Sequence, residues 1–165
     1  MLSEKLIQKF NEQLTHELEA SHLYLQMSAW CSKNSLDGCA GFLRHHSEEE
    51  KDHMYRLFDY MVKTGEWPII GTVKAPQKDY DSVLGIFTSI LESERQVAKK
   101  INALVGVALE EKDFATFNFL QWFVVEQHEE DHLFQSIIDR IKVINVDGKG
   151  LYFVDKEVAS LIEKT

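Results

Sequence analysis

With 165 residues the chain is long enough for one domain with a substantial core and too short for two comfortable ones. Hydrophobic residues make up 44% and charged residues 27%, and the formal net charge is −9, so nucleic acid and anionic membranes, which need a basic footprint, are excluded as expected partners. Only 8 glycines and 2 prolines interrupt the chain, which favours long helices joined by few turns.

The first predicted helix runs from about Ser3, a plausible N-cap, to Ser32, with Leu6, Phe10, Leu14, Glu17, Ala20, Tyr24, Met27 and Cys31 at steps of three and four. The second runs from Asp37-Gly38 to Thr64-Gly65, and its inward line is Phe42, His46, Glu50, His53, Leu57, Tyr60. From Glu66 to Asp81 there is no helical period, and both prolines fall here; so long a connector needs a structural purpose. The third helix spans Ser82 to about Glu111. The short corner Glu110-Glu111-Lys112-Asp113 makes it the antiparallel neighbour of a fourth, from about Phe114 to Ile144. Asp147-Gly148-Lys149-Gly150 reads as a turn. A short fifth helix from about Asp155 to Glu163 carries Val158, Leu161 and Ile162 and has to pack on something to be stable. Two helices, a long crossover and two more helices give an all-α, ferritin-like four-helix bundle over about residues 3–144, with a short C-terminal helix, in a single domain spanning 1–165.

No stretch reaches the ~18 apolar residues of a membrane span, and the N-terminal residues lack a leader pattern, so a cytoplasmic location is expected. Cys31 and Cys39, in a C-x₇-C spacing that does not suit zinc, read as free thiols.

The chemistry lies where polar residues interrupt the apolar lines. Glu17 does so on the first helix, Glu50 and His53 on the second, Glu94 on the third, and Gln127 and Glu130 on the fourth. Glu50 and His53 are three apart and share a face. Each helix is roughly 42–45 Å long at 1.5 Å per residue, and all these residues fall near mid-height, so they meet at one level whichever way neighbours run. Buried carboxylates cost several kcal/mol each without a counter-charge, and no lysine or arginine falls on these lines at that height. Oxygen donors with one imidazole suit a first-row metal such as iron or manganese, and E-x-x-H on an inward face is a general feature of di-iron carboxylate bundles.

The chain resembles bacterial non-haem ferritins over essentially its whole length. The matching stretches include Asn11-Glu12-Gln13 to Glu17, Gln26-Met27-Ser28-Ala29-Trp30-Cys31, Glu49-Glu50 to His53-Met54, Leu57-Phe58-Asp59-Tyr60, Phe117-Asn118-Phe119-Leu120-Gln121-Trp122, Glu126-Gln127-His128-Glu129-Glu130 and Gly150-Leu151-Tyr152-Phe153. The resemblance implies a ferroxidase centre. One iron takes Glu17, Glu50 and His53, and a second takes the bridging Glu50 with Glu94, Gln127 close by and Glu130 reaching in. It also implies a weaker third iron on Glu49, Glu126, Glu129 and Glu130, an electron-donating role for Tyr24, O₂ (or H₂O₂) as oxidant, and a hollow homo-oligomer of twenty-four subunits. Gln127-x-x-Glu130 departs from the second E-x-x-H of the wider di-iron pattern, so the two irons are expected to be inequivalent. Haem is not expected: Lys51 stands where bacterioferritins place a methionine ligand. His16, His22, His45, His46, His128 and His132 read as polar-face or packing residues.

Three rivals remain open at this level. A di-iron oxygenase or peroxidase needs a substrate pocket, a DNA-protecting mini-ferritin puts its ligands between subunits, and a purely structural bundle is stable without metal.

Overall fold

Helix starts are fixed by side chains that satisfy the amide groups left free in a first turn. In the computed structural model, which describes residues 1–144 and 148–162, the Ser3 hydroxyl accepts from the Leu6 amide at 3.2 Å and opens α1 (Glu4–Lys33). Ser82 accepts from the Gly85 amide at 3.0 Å and opens α3 (Val83–Glu110). Asp113 accepts from the amide and hydroxyl of Thr116 and opens α4 (Phe114–Ile144).

The start of α2 (Asp37–Lys63) is different. Its N-cap, Leu36, has no capping side chain, and the amides of Gly38 and Cys39 instead donate to Asp155, at 3.0 and 2.8 Å. Asp155 lies on α5 (Gly148–Ala159), so the C-terminal helix caps an element more than a hundred residues upstream. The approach is so close that a Cβ on Gly38 would lie 2.1 Å from the Asp155 carbonyl oxygen. The other end of α2 closes in a Schellman turn. Gly65 takes a φ of +86°, its amide donates to the Val62 carbonyl, and the Glu66 amide reaches back to Met61.

Contacts along the helices define the topology. Lys5 pairs with Glu110 and Tyr24 with Glu94, so α1 and α3 run antiparallel. Tyr60 meets Thr116 and His46 meets Glu130, so α2 and α4 do too. Short corners make α1–α2 and α3–α4 antiparallel as well. Therefore α2 and α3 are parallel, and the chain between them has to travel the length of the bundle. It does so along α1: Ile69 and Gly71 donate their amides to Asn11 and Thr15 at 2.8 and 2.9 Å, and Tyr80 packs edge-on against Trp30. The segment is irregular because its backbone partners are α1 side chains rather than its own carbonyls.

The C-terminal reading needs correction. Gly148, Lys149 and Gly150 are helical, not a turn, and α5 begins at Gly148 and ends at Ala159; Asp147 and Glu163 lie outside the described residues. Two glycines lower helix propensity by roughly 1 kcal/mol each. Burial of Val154 and Val158 and the two bonds to Asp155 outweigh that cost. The apolar face of α5 thus packs on α2 and α4 of its own chain, and Tyr152 and Phe153 are left exposed.

The core divides into two apolar clusters. One, around Phe42, Phe87 and Phe134, lies toward α5; the other, around Phe10, Leu57 and Phe123, lies at the opposite end. Between them, in all four long helices, sits a polar layer.

Candidate metal centre

Glu17, Glu50, His53, Glu94, Gln127 and Glu130 all lie in this layer, none more than 6% exposed. Each comes from the register read in the sequence: a residue in line with leucines and phenylalanines above and below has no outward option on the same helix face. The buried polar residues of the described chain include no lysine or arginine. Ligand atoms of Glu17, Glu50 and His53 all lie within 4.8 Å of one another, and His53 Nδ1 is 3.5 Å from a Glu50 oxygen. Gln13, itself buried, donates to Glu17 at 2.8 Å and fixes that carboxylate. Trp122 and Phe123 wall the His53 ring, and the Arg56 guanidinium lies over the Trp122 ring, 4.1 Å from its centroid.

Glu94 faces this trio from α3. It accepts from the Tyr24 hydroxyl and, at 3.2 Å, from the Gln127 amide. Tyr24 is completely buried, and its hydroxyl is satisfied by the carboxylate it touches.

Electrostatics mark the layer as anion-rich and cation-poor. Burial, then the charges of Glu94 and Glu17, pushes the Glu50 carboxyl well above its ordinary range. Burial and then the charge of Glu94 do the same to Glu130. Glu94 is pushed up to about 7, mainly by burial, against the opposing hydrogen bond from Tyr24. Burial, then Glu94, drives the Tyr24 phenol upward. These groups cannot all ionise side by side unless a cation joins them.

Of the four glutamates that the resemblance assigns to a third iron, Glu49 and Glu130 bring carboxylate oxygens within 4.8 Å of each other; Glu126 is half-buried, 3.8 Å from His53 Nε2, and burial and then the charges of Glu129 and Glu49 push its carboxyl upward; Glu129 is exposed. His46, read as a polar-face or packing residue, takes the packing alternative: it is 1% exposed against Phe42 and Phe134, and its Nδ1 lies 2.8 Å from Glu49 and 3.7 Å from Glu130. Its place on the inward line of α2 already carried that signal. Burial pushes Glu49 upward, but the imidazoles of His46, His45 and His53 outweigh it and hold the carboxyl below its ordinary range.

An antiparallel bundle with one long crossover, carrying carboxylates and imidazole at mid-height, defines the ferritin-like class of carboxylate metal-binding folds. Comparison with known proteins agrees. Residues 7–144 match the Ferritin-like domain of the ferritin family. The chain is 49% identical over 161 residues to a bacterial non-heme ferritin of Escherichia coli, with 98% of each chain covered. Among solved structures, Chlorobium tepidum ferritin superposes with a TM-score of 0.87 at 46% identity, covering 96% of this chain and 97% of that one. An open-pore ferritin from the archaeon Archaeoglobus fulgidus superposes with a TM-score of 0.93 at 36% identity, covering 96% of both. The chain belongs to the ferritin family.

Proposed function

We propose that this chain stores iron: it is a ferroxidase subunit that oxidises Fe(II) to Fe(III) at a di-iron centre and deposits the product as ferric oxyhydroxide inside a hollow shell. The observation that carries this reading is the meeting of four buried glutamates, Glu17, Glu50, Glu94 and Glu130, with no buried lysine or arginine among the described residues to balance them.

Iron is the substrate. Glu17, Glu50 and His53 take one Fe(II); Glu50 bridges to a second, taken with Glu94 and flanked by Gln127 and Glu130. Each Fe(II) gives one electron to O₂, which with two protons leaves as H₂O₂; H₂O₂ can then serve as oxidant in its turn. Accumulated carboxylate charge favours the ferric state, and the second position, with no imidazole, releases its ion more readily. Hydrolysis of each Fe(III) by two waters gives FeO(OH) and three protons. Tyr24, whose hydroxyl donates to Glu94, supplies a further electron. Glu49, Glu126 and Glu129, with Glu130, supply donors for iron in transit.

The subunit acts as one domain over residues 1–165 in a cytoplasmic shell of twenty-four copies, without nucleic-acid or membrane partners. Among the described residues no helix is long and apolar enough to cross a membrane. Exposed Trp67, Ile69 and Ile70 on the crossover and Tyr152 and Phe153 on α5 supply apolar surface for subunit contacts. The centre works without haem: Lys51 reaches Glu48 at 2.8 Å on the outside of α2.

Sizing the purified protein and titrating it anaerobically with Fe(II), followed by oxygen, tests the proposal. A large assembly that consumes oxygen at about two irons per chain, the loading of a di-iron carboxylate site, is expected. A small species, or no ferric absorbance after oxygen, overturns the reading.

A further inference from the structure

Gln13 sits on the buried face of α1, one turn before Glu17, and is 1% exposed. Its side chain is costly there. The carbonyl oxygen Oε1 is buried and has no partner among the described residues, whereas a methionine of the same length would fill the space without such an orphan. What glutamine adds is a donor. Nε2 donates to Glu17 Oε1 at 2.8 Å, which leaves Glu17 Oε2, also buried and without a partner, as the oxygen free to meet a metal shared with Glu50 and His53. The charge of the donor matters as much as its place. Gln13 borders a crevice between α1 and α3 that is also lined by Lys9, Lys99 and Lys100, and the Lys100 ammonium is engaged by His16 Nε2. A lysine in contact with Glu17 would neutralise the carboxylate and compete with a metal for it. A neutral amide orients the carboxylate and leaves its charge for the cation.

We propose that Gln13 is a positioning residue for iron oxidation, whose amide presets Glu17 as a one-oxygen ligand of the first iron. The proposal rests on the ferroxidase reading in one respect, that Glu17, Glu50 and His53 take that iron. Gln13 acts through Glu17 and does not touch the metal. A carboxylate already held by its neighbour loses less rotamer freedom when the ion arrives. The contribution of the amide therefore falls on binding of the first ion rather than on the electron transfer that follows. Its loss raises the iron concentration needed for half-maximal rate and leaves the maximal rate close to native.

The test compares the assembled native protein with Gln13→Met, which keeps the length of the side chain and removes the donor. Anaerobic calorimetric titration with Co(II) in place of Fe(II) reads binding, stopped-flow absorbance reads oxidation, and scanning calorimetry of the metal-free protein reads stability. Gln13→Met weakens the tightest Co(II) ion at least about tenfold and raises the half-maximal iron concentration by a similar factor. Its metal-free thermal midpoint holds or rises, because the orphaned oxygen is gone. Gln13→Asn, which keeps the amide but stops one carbon short of Glu17, produces the same loss of affinity and guards against a folding defect in the first variant. Native affinity and native half-maximal iron in either variant overturn the positioning role while the ferroxidase reading stands. A lowered midpoint with unchanged affinity does the same, because it marks a residue that only packs. A native protein that takes up no Co(II) overturns both.

Discussion

The two apolar ends of the bundle and the polar layer between them are built on the same helices and the same registers, yet they answer to opposite rules. At the ends, Phe10, Leu57, Phe123 and their counterparts Phe42, Phe87 and Phe134 are buried side chains whose removal from water stabilises the fold. In the middle, the same inward positions hold Glu17, Glu50, Glu94 and Glu130, whose burial costs free energy in the metal-free chain. The difference teaches that stability and function are divided by height along the bundle: the ends carry the fold and hold the middle in a configuration that it would not adopt unaided.

The contrast can be broken or sharpened by substitution, beginning with the largest effect. Phe10→Ala empties a fully buried site stacked against Tyr60 and should cost about 3–5 kcal/mol of stability, read as a lowered thermal midpoint, while iron oxidation by the folded fraction persists. Glu50→Ala should do the reverse. Fast iron oxidation in stopped-flow absorbance falls at least about 100-fold, and the metal-free thermal midpoint holds or rises. Undiminished oxidation would mean that the centre lies elsewhere.

The pH dependence comes next. Glu94 titrates at about 7 in the folded chain, above its ordinary unfolded range, so its contribution to metal-free stability is fully present at acid pH and is lost as pH rises toward about 7. The raised carboxyls of Glu50 and Glu130 act in the same direction. Scanning calorimetry of the metal-free protein should therefore show Glu94→Gln gaining on the native chain by on the order of 1–3 kcal/mol between about pH 5 and pH 8. A constant difference across that window would remove the charge explanation. Smallest is Asp155→Ala, which uncaps α2 from α5 and should cost about 1 kcal/mol with no change in oxidation rate, checked by the same two measurements.

The four long helices and the six mid-height residues could be read from the sequence because both depend on a local period of three and four residues, which each helix states for itself. The C-terminal helix could not. Gly148 and Gly150 look like a turn by propensity, and only the distant docking of Val154, Val158 and Asp155 on α2 and α4 makes them helical. His46 illustrates a different limit. Its inward register was legible, but nothing local says what an inward histidine will face; that depends on Glu130 arriving from α4. Likewise the glutamates 126, 129 and 130 look equivalent in sequence, whereas the turn of α4 buries Glu130, half-covers Glu126 and leaves Glu129 in water.

Anomalous diffraction at the iron absorption edge, from crystals loaded with Fe(II) under anaerobic conditions, tests the central claim most directly. Paired peaks between Glu17, Glu50, His53 and Glu94, midway between the two apolar clusters, are the predicted result. Iron found only on the outer acidic surface, with the mid-height carboxylates empty of metal, would contradict it.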